Sequence, residues 1–165
     1  MFEYRVTKYD PAWRDDRGAY TREEWTSYGD IGQTFGGQRL TPDEYQRVED
    51  AYVSAALGFL HEAGVKTLTV EGLEAQGNAP SVAAGSSLGL SDVAEVIRRV
   101  LREEFWCRLE GPEAFVHLGW DYYMYVGVPT ACPGAERLVQ RLNLHAELFR
   151  SPYRHCGGHG PSSEL

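Results

Sequence analysis

The chain has 165 residues, of which 42% are hydrophobic and 24% are charged, and these values are ordinary for one domain with a buried core. Its 24 acidic and 16 basic side chains give a formal net charge of -8, which disfavours nucleic acid as a partner and favours a basic protein. The first residues lack the pattern of a signal peptide, and no stretch is apolar enough for a membrane helix, so we expect a cytoplasmic protein without a membrane partner.

The first half of the chain predicts one strand and one long helix. Hydrophobic alternation over residues 2–9 predicts a strand, and the glycine-containing stretch 10–40 predicts loops. Thr41 is followed by proline, and a glutamate comes three residues after it, which is typical of a helix start. Apolar residues then recur every three or four positions, so an amphipathic helix is predicted over 42–63.

The second half predicts more strands and two shorter helices. Residues 65–74 alternate like a strand, and the uncharged stretch 75–90 predicts a loop. A second helix is predicted over 92–105, two or three antiparallel strands over 105–128, and a last helix over 134–146. We therefore expect an α+β fold with three helices and a mostly antiparallel sheet of about four or five strands.

No linker or internal repeat interrupts the chain, so residues 1–150 are predicted to form a single domain. Residues 151–165 are polar and glycine-rich, which predicts a flexible C-terminal tail. The tail carries His155, Cys156 and His159, whose side chains are good zinc ligands. A zinc-binding structural module is one hypothesis, but no fourth ligand lies nearby in the sequence. We expect no metal and no cofactor.

A small-molecule-binding protein or enzyme is an alternative, with a pocket around Cys132, His117 and Asp121. Cys132 precedes a predicted helix, and a cysteine at a helix N-terminus can act as a nucleophile. The opposing interpretation is a small buried thiol at a turn. His117 lies in a predicted strand, where a single histidine is usually a hydrogen-bonded structural residue.

Aromatic and acidic residues occur together in two stretches, WTSYGDIG and WDYYMYVG. Tyrosine supplies large and rigid contact area at protein interfaces, and carboxylates attract basic groups. Alternate residues of a strand face opposite ways, so one of the two adjacent tyrosines should be core and the other open. The predicted partner-binding residues are Asp30, Glu71, Glu74, Asp121, Tyr122 and Tyr123.

Several stretches resemble a family of small bacterial proteins, among them the immunity proteins of polymorphic toxin systems. They are RVTKYDP, EWTSYGDIG, LTPDEYQRVEDAY, FWCRLEG, HLGWDYYMYVG and SPYR, and the resemblance covers most of residues 2–153. It implies a cytoplasmic protein that binds and inhibits a cognate toxin. It supplies no catalytic residues.

Overall fold

A computed structural model describes residues 1–75 and 81–155. The strands are β1 (Phe2–Thr7), β2 (Thr34–Phe35), β3 (Gln38–Arg39), β4 (Thr67–Glu74), β5 (Ser87–Gly89), β6 (Trp106–Glu110), β7 (Phe115–Leu118), β8 (Met124–Val128) and β9 (His145–Leu148). The α-helices are α1 (Pro42–Glu62), α2 (Leu90–Leu101) and α3 (Pro133–Arg141).

Seven of the strands form one sheet in the order β5-β4-β6-β7-β8-β1-β9, and all of its pairs are antiparallel. The remaining two, β2 and β3, form a separate small hairpin. The predicted α+β class, the antiparallel sheet and the three helices are confirmed for the described residues. The predicted number of strands was too low, because the main sheet has seven rather than four or five.

The two overlooked strands lie at the two edges of the sheet. Strand β5 has only three residues, which is too short for alternation to be visible, and it lies in the stretch predicted as a loop. Strand β9 begins in the stretch predicted as the end of the last helix, since His145 and Ala146 were assigned to that helix. That helix stops at Arg141 because Asn143 adopts a left-handed conformation with φ 59°, which ends a helix and turns the chain.

Helix α1 matches its prediction closely. The Thr41 side chain accepts a hydrogen bond from the Glu44 amide at 3.2 Å, as an N-cap should. Helix α2 is displaced toward the N-terminus relative to its prediction, because β5 runs directly into it with Gly89 at the N-cap. It ends at Leu101 because Glu103 adopts φ 61° and the Glu104 amide donates back to the Arg99 carbonyl at 3.0 Å.

One face of the sheet carries the helices and the main hydrophobic core. Tyr4 of β1 packs on Phe59 of α1 with ring centroids 4.6 Å apart, and Val6 beside it is fully buried. An ion cluster joins α1 to α2, where the Glu49 carboxylate accepts hydrogen bonds from Arg98 and Arg102. Burial opposes ionisation of Glu49, but the bonds from the two arginines outweigh it and lower the pKa of the carboxyl group.

The opposite face of the sheet is crossed by residues 149–155, here called the C-terminal strap. The Ser151 amide donates to a Glu3 carboxylate oxygen at 2.9 Å, and the Tyr153 ring packs against Trp106 and Tyr125. The described part of the predicted tail, 151–155, is thus packed on the sheet, whereas 156–165 lie outside the described residues. Within 1–75 and 81–155, no helix is long and apolar enough to cross a membrane.

Candidate functional site

The pocket predicted around Cys132, His117 and Asp121 is not assembled. The Cys132 thiol lies on the helical side of the sheet, where it contacts the Phe59 carbonyl at 3.8 Å. Burial raises the pKa of this thiol, which disfavours a nucleophilic thiolate. His117 lies on the opposite face of the sheet, and Asp121 is exposed in the turn between β7 and β8.

His117 belongs instead to a row of side chains under the C-terminal strap. Its Nδ1 lies 2.8 Å from the Ser151 hydroxyl, and its Nε2 lies 2.8 Å from a Glu110 carboxylate oxygen. Serine, histidine and glutamate in this order are typical of nucleophilic catalysis. Here, however, Ser151 is only 2% exposed, and its hydroxyl accepts a hydrogen bond from the Tyr153 amide. A substrate has no approach to it, so the row anchors the strap.

A larger opening lies at one end of the sheet, where β4 ends, α2 turns into β6, and β7 turns toward β8. It is a cleft of about 710 Å³, here called the acidic cleft. Its described lining residues are Thr26, Ser27, Leu73, Glu74, Ala75, Val100, Leu101, Glu103, Glu104, Phe105, Trp106, Leu118, Gly119, Trp120 and Tyr122. This volume is in the range of about 300–1,000 Å³ that is common for ligand pockets.

Glutamates are the charged residues among the described lining of the acidic cleft. Glu104 forms an ion pair with Arg99 at 2.7 Å, which partly neutralises it. Glu74 and Glu103 are exposed and form no ion pair with any residue in the described part of the chain. The described lining contains no lysine or arginine. The cleft therefore presents uncompensated negative charge.

Two tryptophans line the acidic cleft, and they differ in their freedom. The Trp106 indole Nε1 donates to the Leu118 carbonyl at 2.9 Å, and its ring packs 5.7 Å from Tyr153, so it is held in place. Trp120 is 64% exposed. An open aromatic ring beside a cleft offers a partner a large and rigid contact surface.

Backbone conformation also sets the acidic cleft apart. Among the described residues other than glycine, positive φ values occur at Glu103, Tyr122 and Asn143. Asn143 and Glu103 each follow the end of a helix, where this conformation is common, whereas Tyr122 lies in the turn between β7 and β8 and lines the cleft. Strained backbone outside such caps is concentrated at functional sites. The Tyr52 hydroxyl donates to the Tyr122 carbonyl at 2.7 Å and helps to hold this conformation.

The six predicted partner-binding residues are divided by the structure. Glu74 and Tyr122 line the acidic cleft. Asp121 is exposed, and in the sequence it lies between two lining residues, Trp120 and Tyr122. The Tyr122 ring itself points into the core, where it packs 5.0 Å from Trp25. Its contribution to a binding surface is therefore small.

The other three predicted residues have different surroundings. The Asp30 carboxylate accepts hydrogen bonds from the Thr26 and Ser27 amides at 2.9 and 3.2 Å. Because Thr26 and Ser27 line the acidic cleft, Asp30 helps to hold one of its walls in place. Tyr123 packs on Tyr9 at 5.3 Å and lies under Arg5. Glu71 lies on the strap side of the sheet, 3.9 Å from Arg108.

Three residues that line the acidic cleft were not predicted as site residues: Glu103, Glu104 and Trp106. Both glutamates were predicted to lie within a helix, and only the left-handed turn at Glu103 brings them to the rim. Trp106 was predicted in a strand but without a role. In the run RVLREEFW, residues 99–106, two glutamates at the end of the predicted helix directly precede two aromatic residues, and this was the signal that acidic and aromatic side chains lie close together here.

No group of three or more histidine, cysteine, aspartate or glutamate side chains within 1–75 and 81–155 is placed to hold a metal ion. The tail residues Cys156 and His159 lie outside the described residues, and the side chain of His155 is not described either. The expectation that these three residues bind no metal therefore stays a prediction. Comparisons of the chain with protein-family models, with curated proteins and with solved structures find no match.

Proposed function

We propose that this chain is a cytoplasmic protein-binding module that uses the acidic cleft to bind a basic protein and inhibit it, as an immunity protein does with a bacterial toxin. The observation that carries the proposal is the unpaired charge of Glu74 and Glu103 beside the exposed Trp120. Aromatic anchors next to charge are typical of the residues that dominate protein interfaces.

The net charge of -8 supports the same proposal at longer range. An acidic protein attracts a basic partner over about one Debye length, roughly 10 Å at 0.1 M salt, and this raises the association rate. Toxins that cleave nucleic acids need basic surfaces to bind their substrates, so an acidic inhibitor complements such a surface.

A small cationic ligand is a second candidate, favoured by the volume of about 710 Å³. The two functions differ in how much surface they use. A protein partner must contact the exposed rim at Trp120 and its neighbour Asp121, whereas a small ligand is largely enclosed by the cleft walls.

Photo-crosslinking in cells of the source organism tests the proposal. We would replace Trp120 with p-benzoylphenylalanine and, as a matched control, replace the exposed Trp13, which lies outside the cleft. We expect one covalent protein adduct from position 120 and not from position 13, with a basic crosslinked peptide. Expressed alone, the captured protein should arrest growth, and co-expression of this chain should restore it.

Two results would contradict the proposal. The first is the absence of an adduct that is specific to position 120. The second is an adduct with a protein whose activity this chain does not inhibit.

A further inference from the structure

We propose that the acidic cleft is a receptor for an arginine side chain of the partner, and that it prefers arginine to lysine. This inference rests on the proposed function, because it names the group of the basic partner that enters the cleft. The proposal is based on the lining of the cleft, which combines carboxylates, an exposed aromatic ring and apolar side chains.

The charged part of an arginine fits the rim. A guanidinium is planar, so it can donate two parallel hydrogen bonds to a carboxylate and stack on an aromatic face at the same time. Glu74 and Glu103 offer carboxylates without ion pairs in the described chain, and Trp120 offers an open indole face. An ammonium group is a more strongly hydrated point charge, and it gains less from stacking.

The uncharged part of an arginine fits the interior. The three methylene groups of its side chain require apolar contacts, and apolar side chains form much of the described lining of the cleft, namely Leu73, Val100, Leu101, Phe105 and Leu118. No basic side chain among the described lining competes for the carboxylates. The Arg99 guanidinium is engaged with Glu104, which lines the cleft, and with the Ser81 hydroxyl.

The test uses three synthetic peptides, acetyl-Gly-Gly-X-Gly-Gly-amide, in which X is arginine, lysine or citrulline. Citrulline keeps the shape of arginine without its charge. Binding is followed by NMR from the indole N–H signals of the ¹⁵N-labelled protein, and the Trp120 signal is assigned from its loss in Trp120→Ala. We expect the arginine peptide to shift that signal with a Kd of about 1 mM, at least about threefold tighter than lysine, and citrulline not to bind.

Variants locate the binding. Trp120→Ala, followed from the indole signal of Trp106, should weaken binding of the arginine peptide by about fivefold or more, and Glu74→Gln with Glu103→Gln by about tenfold. Glu95→Gln with Glu113→Gln removes an equal charge from exposed positions outside the cleft, and Trp13→Ala removes an exposed ring elsewhere. Both controls should bind as the wild type does, and melting temperatures should show that all variants fold.

Equal affinity for the lysine and arginine peptides would overturn the inference, as would binding that survives Trp120→Ala unchanged. Its failure is separable from that of the proposed function. If a toxin is captured at position 120 and inhibited, but the peptides show no preference for arginine, only the inference is refuted. Selective binding of the arginine peptide without a protein adduct in cells would refute only the protein-binding function.

Discussion

Two adjacent tyrosines show how one position decides between core and surface. The Tyr122 ring is 2% exposed and packs against rings of Trp25 and Tyr52, whereas Tyr123 is half-buried beneath Arg5. The sequence predicted that the two would face opposite ways, but it could not say which one is core. Neither tyrosine lies in β8, which begins at Met124, so their different environments come from the turn, where Tyr122 has a positive φ, and not from the predicted strand alternation.

Substitutions of Tyr122 should separate its ring from its hydroxyl. The hydroxyl is buried and forms no hydrogen bond of ordinary geometry with the described residues, so Tyr122→Phe should keep the free energy of unfolding or raise it by up to about 1 kcal/mol. Tyr122→Ala should lower it by about 3 kcal/mol or more, because the ring leaves a cavity. Urea unfolding measures both. A loss above about 1.5 kcal/mol for Tyr122→Phe would mean that the hydroxyl has a partner after all.

Lys8 is a buried cation whose charge should couple stability to pH. Its ammonium lies 4.1 Å from the Trp25 ring centroid, 4.2 Å from that of Tyr9 and 3.1 Å from Glu24, and its side chain is 5% exposed. Burial lowers its pKa from 10.5 to about 8, although Glu24 acts in the opposite direction. The unfolded chain therefore binds more protons than the folded chain between pH 8 and 10.5.

The free energy of unfolding that is linked to Lys8 should therefore rise as pH increases from about 8 toward 10.5. The same stability should be lost as pH is lowered through the folded-state pKa of about 8. Other buried groups titrate in the same range, so the measurement compares wild type with Lys8→Met by urea unfolding from pH 7 to 9.5. We expect the wild type to gain about 1–2 kcal/mol relative to Lys8→Met over this range. Parallel curves for the two proteins would show that the Lys8 pKa is not lowered.

At the scale of elements, the sequence predicted what short-range patterns determine. The capped helix α1 and strand β4 were found because capping residues and alternation are local. Strands β5 and β9 were missed because each is defined by its partner across the sheet rather than by its own pattern. The acidic cleft was found only in part, at Glu74 and Tyr122, because it combines residues from four separate connections.

The C-terminal strap is an element that the sequence did not indicate, and Ser151 should be its anchor. Its hydroxyl contacts His117 Nδ1 and accepts from the Tyr153 amide. Ser151→Ala removes both of these buried contacts, so it should lower the free energy of unfolding by about 1–3 kcal/mol. Ser54→Ala, at an exposed position in α1, is the control and should change it by less than about 0.5 kcal/mol.

The same serine separates an anchor from a nucleophile. A fluorophosphonate probe labels activated serines, and we expect none to attach to Ser151, because it is buried under its own strap. Labelling that is lost in Ser151→Ala and in His117→Ala would mean that the strap opens and that the row is catalytic.

At the scale of the whole molecule, the position of β1 ties the two ends of the chain together. It lies between β8 and β9, so the first strand pairs with residues 118 to 126 positions away in β8 and 138 to 144 away in β9. The main sheet cannot be completed until the chain has been synthesised as far as β9, which pairs with β1. Long-range pairing of this kind predicts slow folding and strong cooperativity between the elements.

We therefore expect one unfolding transition for the described domain, with tryptophan fluorescence and far-UV circular dichroism giving the same midpoint in urea. Val6→Ala, at a fully buried position of β1, should lower stability by about 2 kcal/mol and move both midpoints together. Deletion of residues 1–8 should prevent folding, because it opens the sheet between β8 and β9 and removes Tyr4 and Val6 from the core. If the helical signal persisted in that deletion with an ordinary transition, β1 would be an accessory strand, and α1 and α2 with β4 to β8 would form a domain on their own.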